Sequence, residues 1–523
     1  MEAWHLFFAA IVVVLTPFLR LILFRGGIDD QERGRLPPGP PAVPLLGSTV
    51  WLTSSLHDPV TLFQRLVARH GPIISLRFAS QLLVIVADRR LAHAALVERG
   101  VSLADRPAVE SARHLGVGLG DCSDKLITTT SYGPVWRLLR RNLVSEMLHS
   151  SRFRLFAPAR AWTRRVLVDK LREHEHGDGA APSDVVEAFH YAVFCLFLLM
   201  CFGERLDEAT VRALTAAERD LVLYTSSNMA VFAFFPAVTK HLFRGRLQRM
   251  HALQWRLKEL FLPLINSRRE YKKQCGEPRK ESTFEHSYVD TLLDIKLPED
   301  GNRALTDDEM VNLCSEFLNA GTDTTSTALQ WIMAELVKNP SIQSKLYEEI
   351  KSKTGDGGEV SEEDIHGMPY LKAVVLEGLR KHPPGHMLVP HRAAEDMEVG
   401  GYLIPKGATV NFMVAEMGRD EEEWEKPMEF IPERFLAGGD GEEVDVTGSK
   451  AIRMMPFGAG RRICPGLNMA MLHLEYFVAV MVREFKWKEV AGDEVDFTEK
   501  REFTTVMAKP LRARLVPRRT HFG

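Results

Sequence analysis

Pro456-Phe457-Gly458-Ala459-Gly460-Arg461-Arg462-Ile463-Cys464-Pro465-Gly466 is the stretch on which the reading of this chain turns. It sets three glycines within nine residues around one thiol and runs into a helix-like segment, Leu467 to Arg483. Glycine tolerates positive φ and lets the backbone come close to a neighbour, so Gly458, Gly460 and Gly466 describe a loop shaped around something. The helix that follows presents N–H groups and the positive end of its dipole to the sulfur, and a helix start lowers a thiol's pKa. A thiolate held this way, hydrogen-bonded but shielded from water, suits a metal ligand. On a glycine-rich turn alone, a buried free cysteine is the more ordinary reading.

Working outward, the next informative segment lies upstream. Thr306-Asp307-Asp308-Glu309 has the form of a capping box, and Val311, Ser315, Leu318, Thr322, Thr325, Leu329, Ile332 and Leu336 keep helical spacing until Asn339-Pro340 ends it. The middle of that helix, Ala320-Gly321-Thr322-Asp323-Thr324-Thr325, is poor helix material: Gly costs about 1 kcal/mol relative to Ala, and the threonines add to it. The Thr324 hydroxyl is placed to bond back to the carbonyl of Ala320 and open a groove in the backbone ladder, where oxygen could lie. A polar, slightly bent core helix is the competing reading.

Three further patterns accompany these two. A helix starting at Pro369 sets Glu377 and Arg380 three apart on one face, a natural ion-pair spacing. Trp136 and Arg140 stand four apart on another helix, and His391 follows Val389-Pro390. Each also has a plain reading, as a surface pair, a helix face and a structural histidine.

The bulk of the chain is ordinary. Of 523 residues, 45% are hydrophobic and 26% charged, which describes a folded globular body. With 66 Lys+Arg against 69 Asp+Glu the formal charge is -3, so no basic excess points to nucleic acid. The six cysteines, at 122, 195, 201, 275, 314 and 464, form no C-x-x-C pair and fit a reducing compartment.

From Ala3 to Phe24 nearly every residue is apolar; as a helix this run reaches about 33 Å, enough for one bilayer crossing. No basic segment precedes it, which favours a retained anchor over a cleaved signal. Arg20, Arg25, Arg33 and Arg35, at or beyond its C-terminal end, place the main body in the cytoplasm. Pro37-Pro38-Gly39-Pro40-Pro41 then reads as a stiff hinge.

Strand-like runs at Ile73 to Phe78 and Gln81 to Ala87 precede mostly helical periodicity from Asp88 to Glu349. Short β segments return between Tyr402 and Phe412, and the tail from Phe503 to Val516 is strand-like. Gly355 to Glu359 and Ala437 to Gly448 read as exposed loops. The expectation is a mainly α chain with smaller β sheets (α+β): an anchor over 1–25, a basic, Pro-rich hinge over 26–47 and one catalytic domain over 48–523.

The order F-G-x-G-x-R-x-C-x-G from Phe457 to Gly466 matches the haem-binding signature of the cytochrome P450 family at every position. Gly321-Thr322-Asp323-Thr324-Thr325 matches that family's A/G-G-x-D/E-T-T element when read from Ala320, and Glu377-Gly378-Leu379-Arg380 its E-x-x-R, with Pro432-Glu433-Arg434-Phe435 supplying a second arginine. The chain therefore resembles a plant A-type microsomal member from the Pro37–Pro40 hinge to the C-terminal strands. Gly378 is a departure, standing where many such members have Thr; His382-Pro383-Pro384-Gly385-His386 narrows the resemblance to the plant family numbered 89. Some of that family oxidise linear tetrapyrroles, which does not assign a substrate here.

The resemblance implies a cytochrome P450 fold and a haem-thiolate monooxygenase that inserts one oxygen atom from O2 into a hydrophobic or amphipathic small molecule. It implies haem b held by Cys464 as axial iron ligand, with Phe457 over the sulfur and Arg462, Trp136, Arg140 and His391 toward the propionates. Asp323 and Thr324 would deliver protons, and Glu377, Arg380 and Arg434 would form a buried structural network. No flavin or nicotinamide fingerprint is present: Gly116-Val117-Gly118-Leu119-Gly120 has the wrong spacing. Electrons are expected from NADPH through a separate NADPH-cytochrome P450 reductase, docked near Arg137, Arg140, Arg141, Lys450, Arg453 and Arg461. Ser111 to Leu119, Phe232 to Phe235, Met387 to Val389 and Thr504 to Val506 are the expected substrate contacts, and the endoplasmic reticulum membrane the expected location. Haem-dependent isomerase or dehydratase chemistry without O2, and a non-catalytic haem-binding membrane protein, are the alternatives; Asp323 and Thr324 speak against both.

Overall fold

The computed structural model describes residues 36–40, 59–78, 81–107, 125–173, 183–232, 236–274, 284–356 and 358–518. The expected anchor, most of the hinge, the 111–119 segment, Phe234 and Phe235 lie outside the described residues. Among the described residues no helix is long and apolar enough to cross a membrane.

The elements that position the site are, in chain order, α1 Pro59–His70, β1 Ile73–Phe78, β2 Gln81–Val86, α2 Pro134–Leu143, α3 Val186–Phe202, α4 Glu208–Asn228, α5 Asp307–Lys338, α6 Pro369–Lys381, β3 His391–Arg392, β4 Thr409–Phe412, α7 Leu467–Glu484 and β5 Thr505–Met507. The capping box starts α5 as its sequence requires: Thr306 Oγ1 accepts from the Glu309 N–H at 3.2 Å, and Glu309 Oε2 accepts from the Thr306 N–H at 2.7 Å.

Helix α3 is apolar around nearly its whole circumference, so it can only be a core helix, and it packs along α5. Gly321 permits that approach, since a Cβ there would lie 2.2 Å from the Phe197 ring. Gly378 does the same between α6 and α5: a Cβ there would lie 2.4 Å from Ile332 Cγ1. The residue that departs from the family pattern is thus a packing contact between two central helices. Helix α7 completes the set against α5 and α6.

The largest sheet has the order β1-β2-β4-β3. β1 and β2 pair antiparallel, from Ile73 opposite Val86 to Phe78 opposite Gln81; β4 joins β2 in parallel, Leu83 opposite Thr409; β3 closes antiparallel, His391 opposite Val410. A crossover of more than 300 residues separates β2 from its parallel partner, so no local pattern could have paired them. The strand-like tail divides into β5 and Arg512–Pro517, with a turn between. The result is helix-rich with small sheets, as the sequence pattern indicated.

Candidate functional site

The Cys464 loop closes on itself through a hydrogen bond from the Cys464 N–H to the Phe457 carbonyl, 2.8 Å. Gly458 and Gly460 take φ of 71° and 70°, the left-handed region that favours glycine. At Gly460 the requirement is doubled, because a Cβ would lie 1.9 Å from the Leu96 carbonyl oxygen. Gly466 differs from expectation: its φ is -90°, and a Cβ there would meet nothing closer than Cys464 Sγ at 3.9 Å.

The thiol itself departs from the sequence argument. Burial pushes the Cys464 pKa up, and the Gly466 N–H and the Arg140 charge pull against it without winning. Desolvation of a thiolate outweighs the helix start here.

Around the loop the cations converge. Arg462 donates to the carbonyls of Ala104, Ile127 and Thr130, and its guanidinium lies 4.4 Å from the centre of the Trp136 ring. Trp136 Nε1 donates to Ile127 O at 3.1 Å, and Arg140 Nη2 donates to the Ile463 carbonyl. His391, 3% exposed, has Nδ1 2.8 Å from the Leu103 carbonyl, and burial followed by the Arg106 charge lowers it to about 3, so its ring is neutral. Phe457 packs on the main core.

Arg106 joins this group unannounced by the sequence. It donates to Thr128 O, Val389 O and Pro390 O, and burial followed by the repulsion of Arg462 lowers its pKa to about 9. Arg462 is likewise lowered to about 10, first by burial. Glu316 of α5 was also missed. Its carboxylate accepts from the N–H groups of Ile127 and Thr128 at 2.8 and 2.6 Å and from the Thr128 hydroxyl, fixing the segment whose carbonyls hold Arg462. An acid between Cys314 and Phe317, in a helix otherwise largely buried, was the available signal.

At the middle of α5, Thr324 Oγ1 donates to the Ala320 carbonyl at 2.7 Å, as its spacing foretold, while α5 stays α-helical through the bond. Ala320 is exposed in the middle of a helix whose other faces are largely buried, so this turn faces open space. Asp323 Oδ1 lies 3.0 Å from His190 Nε2 of α3. His190, a single histidine in an apolar helix, is a partner the sequence did not name.

Glu377, Arg380 and Arg434 meet. Arg380 binds Glu377 with both arms of its guanidinium at 2.7 and 2.8 Å, both side chains 0% exposed, and Arg434 Nε reaches Glu377 Oε1 at 3.3 Å. The remaining donors of Arg380 go to the carbonyls of Gly418 and Pro427, and Arg434 Nη2 goes to Lys426 O, so the network ties α6 to the 418–434 segment with its charges satisfied.

Of the expected docking cations, Arg137, Arg141, Lys450 and Arg461 are exposed, whereas Arg453 is held by Glu423 and the Asp440 carbonyl. Among the expected substrate contacts, the 504–505 turn is bolted to α5: Thr504 and Thr327 share a hydroxyl bond of 2.8 Å, and Trp331 Nε1 donates to Thr505 O at 2.8 Å. Val389 and Phe503 expose apolar side chains beside these segments. Phe232 lies instead in a satellite cluster with Leu247.

The residues present fit a haem. Arg106, Arg140 and Arg462 are gathered with mutual repulsion and mainly backbone carbonyls as partners, an arrangement that favours an anionic group. The lone thiol sits on a loop turned by two left-handed glycines, and among the described residues no cluster of three His, Cys, Asp or Glu offers a competing metal site.

Comparison with known proteins agrees with this chemistry. A family model described as Cytochrome P450 matches residues 37–516. The chain is 43% identical to Cytochrome P450 89A9 of Arabidopsis thaliana, over 96% of each sequence. It is 31% identical to Cytochrome P450 98A1 of Sorghum bicolor over 99% of this chain and 97% of the relative. It is 30% identical to the Flavonoid 3'-monooxygenase of Arabidopsis thaliana over 98% and 97%.

Proposed function

The chain belongs to the cytochrome P450 family, and from that premise we propose how its residues divide the work of a haem-thiolate monooxygenase. The cofactor is haem b, and electrons come from NADPH through a separate reductase. When bound, the haem supplies activation of O2, with electron density pushed from the axial thiolate.

Cys464 would supply that thiolate. Arg140, Arg462 and Arg106 would neutralise the propionates, with Trp136 bracing the guanidiniums and neutral His391 adding a hydrogen-bonding edge. Phe457 would shield the sulfur. On the opposite face, Thr324 would orient water and Asp323 would hand protons to it, a form of general acid catalysis. Glu377, Arg380 and Arg434 would keep the thiolate side rigid.

The observation that carries this reading is the pairing of a left-handed glycine loop around Cys464 with a helix turn at Thr324 that gives its hydroxyl to its own backbone. The substrate would be a small hydrophobic or amphipathic molecule, since Val389 and Phe503 leave apolar surface beside the segment bolted to α5. The apolar run from Ala3 to Phe24 would anchor the protein in the endoplasmic reticulum membrane, catalytic domain toward the cytosol.

The decisive test is the absorbance of the reduced, carbon-monoxide-bound protein. The red-shifted Soret band of a thiolate-ligated haem is the expected result; its absence from a haem-loaded protein would sink the Cys464 assignment. A binding-spectrum screen of hydrophobic plant metabolites, followed by turnover with reductase, identifies the substrate. Product formed equally well without NADPH and reductase would exclude monooxygenation.

A further inference from the structure

Helix α5 meets more buried acid than the pair at its centre requires. Glu218 of α4 is 2% exposed, and its Oε2 accepts from Ser315 Oγ at 2.9 Å and from Asn319 Nδ2 at 2.6 Å. Ser315, Asn319 and Asp323 follow one another at four-residue steps, so they form one strip along α5. Asn319 Nδ2 also lies 3.3 Å from Ser315 Oγ. At the end of the strip Asp323 is met by His190 Nε2 at 3.0 Å.

Two buried oxygens in this region, Glu218 Oε1 and Thr322 Oγ1, have no hydrogen-bond partner among the described residues. A buried carboxylate with an unanswered oxygen is costly, and the neutral acid is far cheaper. A niche with unanswered polar oxygens also suits a bridging water. Burial, and then the charge of Asp323, push Glu218 up to about 8 against the pull of Asn319 and Ser315, so it keeps its proton at neutral pH.

We infer that Glu218 is a proton store that reloads Asp323. After Asp323 gives up its proton, the Glu218 carboxyl passes its own to the Asp323 carboxylate, and the Glu218 carboxylate takes a replacement from solvent. One proton enters for each that leaves, and nothing is oxidised or reduced. The inference rests on the reading of Asp323 as the acid of the site, and it makes Glu218 a residue that acts through Asp323.

Among the described residues, the titratable groups that interact electrostatically with Glu218 are Asp323 of α5 and the Cys201 thiol of α3, which burial holds protonated. Its neighbours Arg219 and Asp220 are directed to Glu502 and Arg256. Glu218 is therefore free of a cationic partner in these contacts.

The test uses the haem-loaded full chain with excess reductase and no added substrate, following NADPH oxidation and its solvent deuterium isotope effect from pH 6 to 9. The expected wild-type rate falls as pH rises through about 8. Glu218→Gln should lower the rate at pH 7 on the order of tenfold, enlarge the isotope effect and flatten that alkaline limb, while Glu218→Asp restores part of it. Asn319→Ala removes a bond that favours the carboxylate, so it should move the limb to higher pH and keep the inference testable if Glu218→Gln loses haem.

A readout independent of turnover is the thermal midpoint of the loaded protein against pH. A folded-state pKa raised from 4.5 to about 8 contributes stability that is full below 4.5 and lost as pH climbs through 8. Glu218→Gln should remove that decline. Unchanged kinetics in Asp323→Asn would overturn the reading of Asp323 and this inference with it. Altered kinetics in Asp323→Asn with unchanged kinetics in Glu218→Gln and Asn319→Ala would overturn the Glu218 inference alone.

Discussion

The two faces of the proposed site are built differently. On the side proposed for the thiolate the charged groups are answered: Arg380 spends its donors on Glu377, Gly418 O and Pro427 O, Arg462 on three carbonyls, and the Cys464 N–H goes to Phe457 O, although Thr129 Oγ1 and the His473 ring nitrogens have no partner among the described residues. On the side proposed for oxygen the uncharged ones are left over: Thr322 Oγ1 and Glu218 Oε1 are buried without a partner among the described residues, Thr324 turns its hydroxyl to its own helix, and Ala320 is exposed. The first face is dense in paired charges, and the second sets glycine and threonines, poor helix formers, at the centre of α5. Substitutions on the first should therefore cost fold and cofactor, and those on the second should cost chemistry at little cost in stability.

The largest effect is expected from Cys464→Ala, which should abolish the red-shifted Soret band altogether. A variant that kept the band would break the comparison at its root. Next is Glu377→Gln. Removing a carboxylate charge between two buried guanidiniums should destabilise the protein by about 3–5 kcal/mol, read as a drop in the thermal midpoint of the loaded protein and in the yield of haem-containing protein. A loss below about 1 kcal/mol would show that the network is not what makes this face rigid.

Gly378→Ala tests a smaller part of the same face. The new Cβ would enter the space of Ile332 Cγ1, 2.4 Å away, and overpacking of this kind costs about 1–3 kcal/mol. Ile332→Val leaves Cγ1 in place but trims its end, so the double variant should regain only part of the loss, whereas Ile332→Ala should regain more. Additive losses in both pairs would mean that α5 and α6 do not meet through Gly378.

The unequal legibility of the two faces has the same origin. The thiolate loop is local: positive φ at Gly458 and Gly460 and one thiol are encoded in eleven consecutive residues, so its shape could be read directly. Gly466 and the direction of the Cys464 pKa were misjudged because both depend on what surrounds the loop. The α5 cap, the Thr324 back-bond and the Glu377–Arg380 spacing are likewise short-range facts. Arg106, His190, Glu218 and Glu316 were not found, since each acquires its partner from a distant segment: 133 residues separate His190 from Asp323, and 189 separate Ile127 from Glu316. What could have been noticed, for His190 and Glu316 only, is a histidine or acid on a helix otherwise largely committed to the core.

Thr324→Ala is expected to move stability least, and it sharpens the comparison most. The substitution deletes a hydroxyl whose present bond is to the Ala320 carbonyl, a contact that competes with the helix ladder. It also replaces a poor helix former with the best one, which favours the folded helix by about 0.5 kcal/mol. The loaded protein should therefore melt at the same temperature or slightly higher, with its Soret band intact. Coupling should nevertheless suffer: once a substrate is in hand, product per NADPH should fall on the order of tenfold, with the balance of reductant lost as peroxide or water. A variant that melts lower and stays coupled would place Thr324 among the structural residues and reverse the assignment of the two faces. Stability kept and coupling lost is what a threonine retained against helix propensity should give.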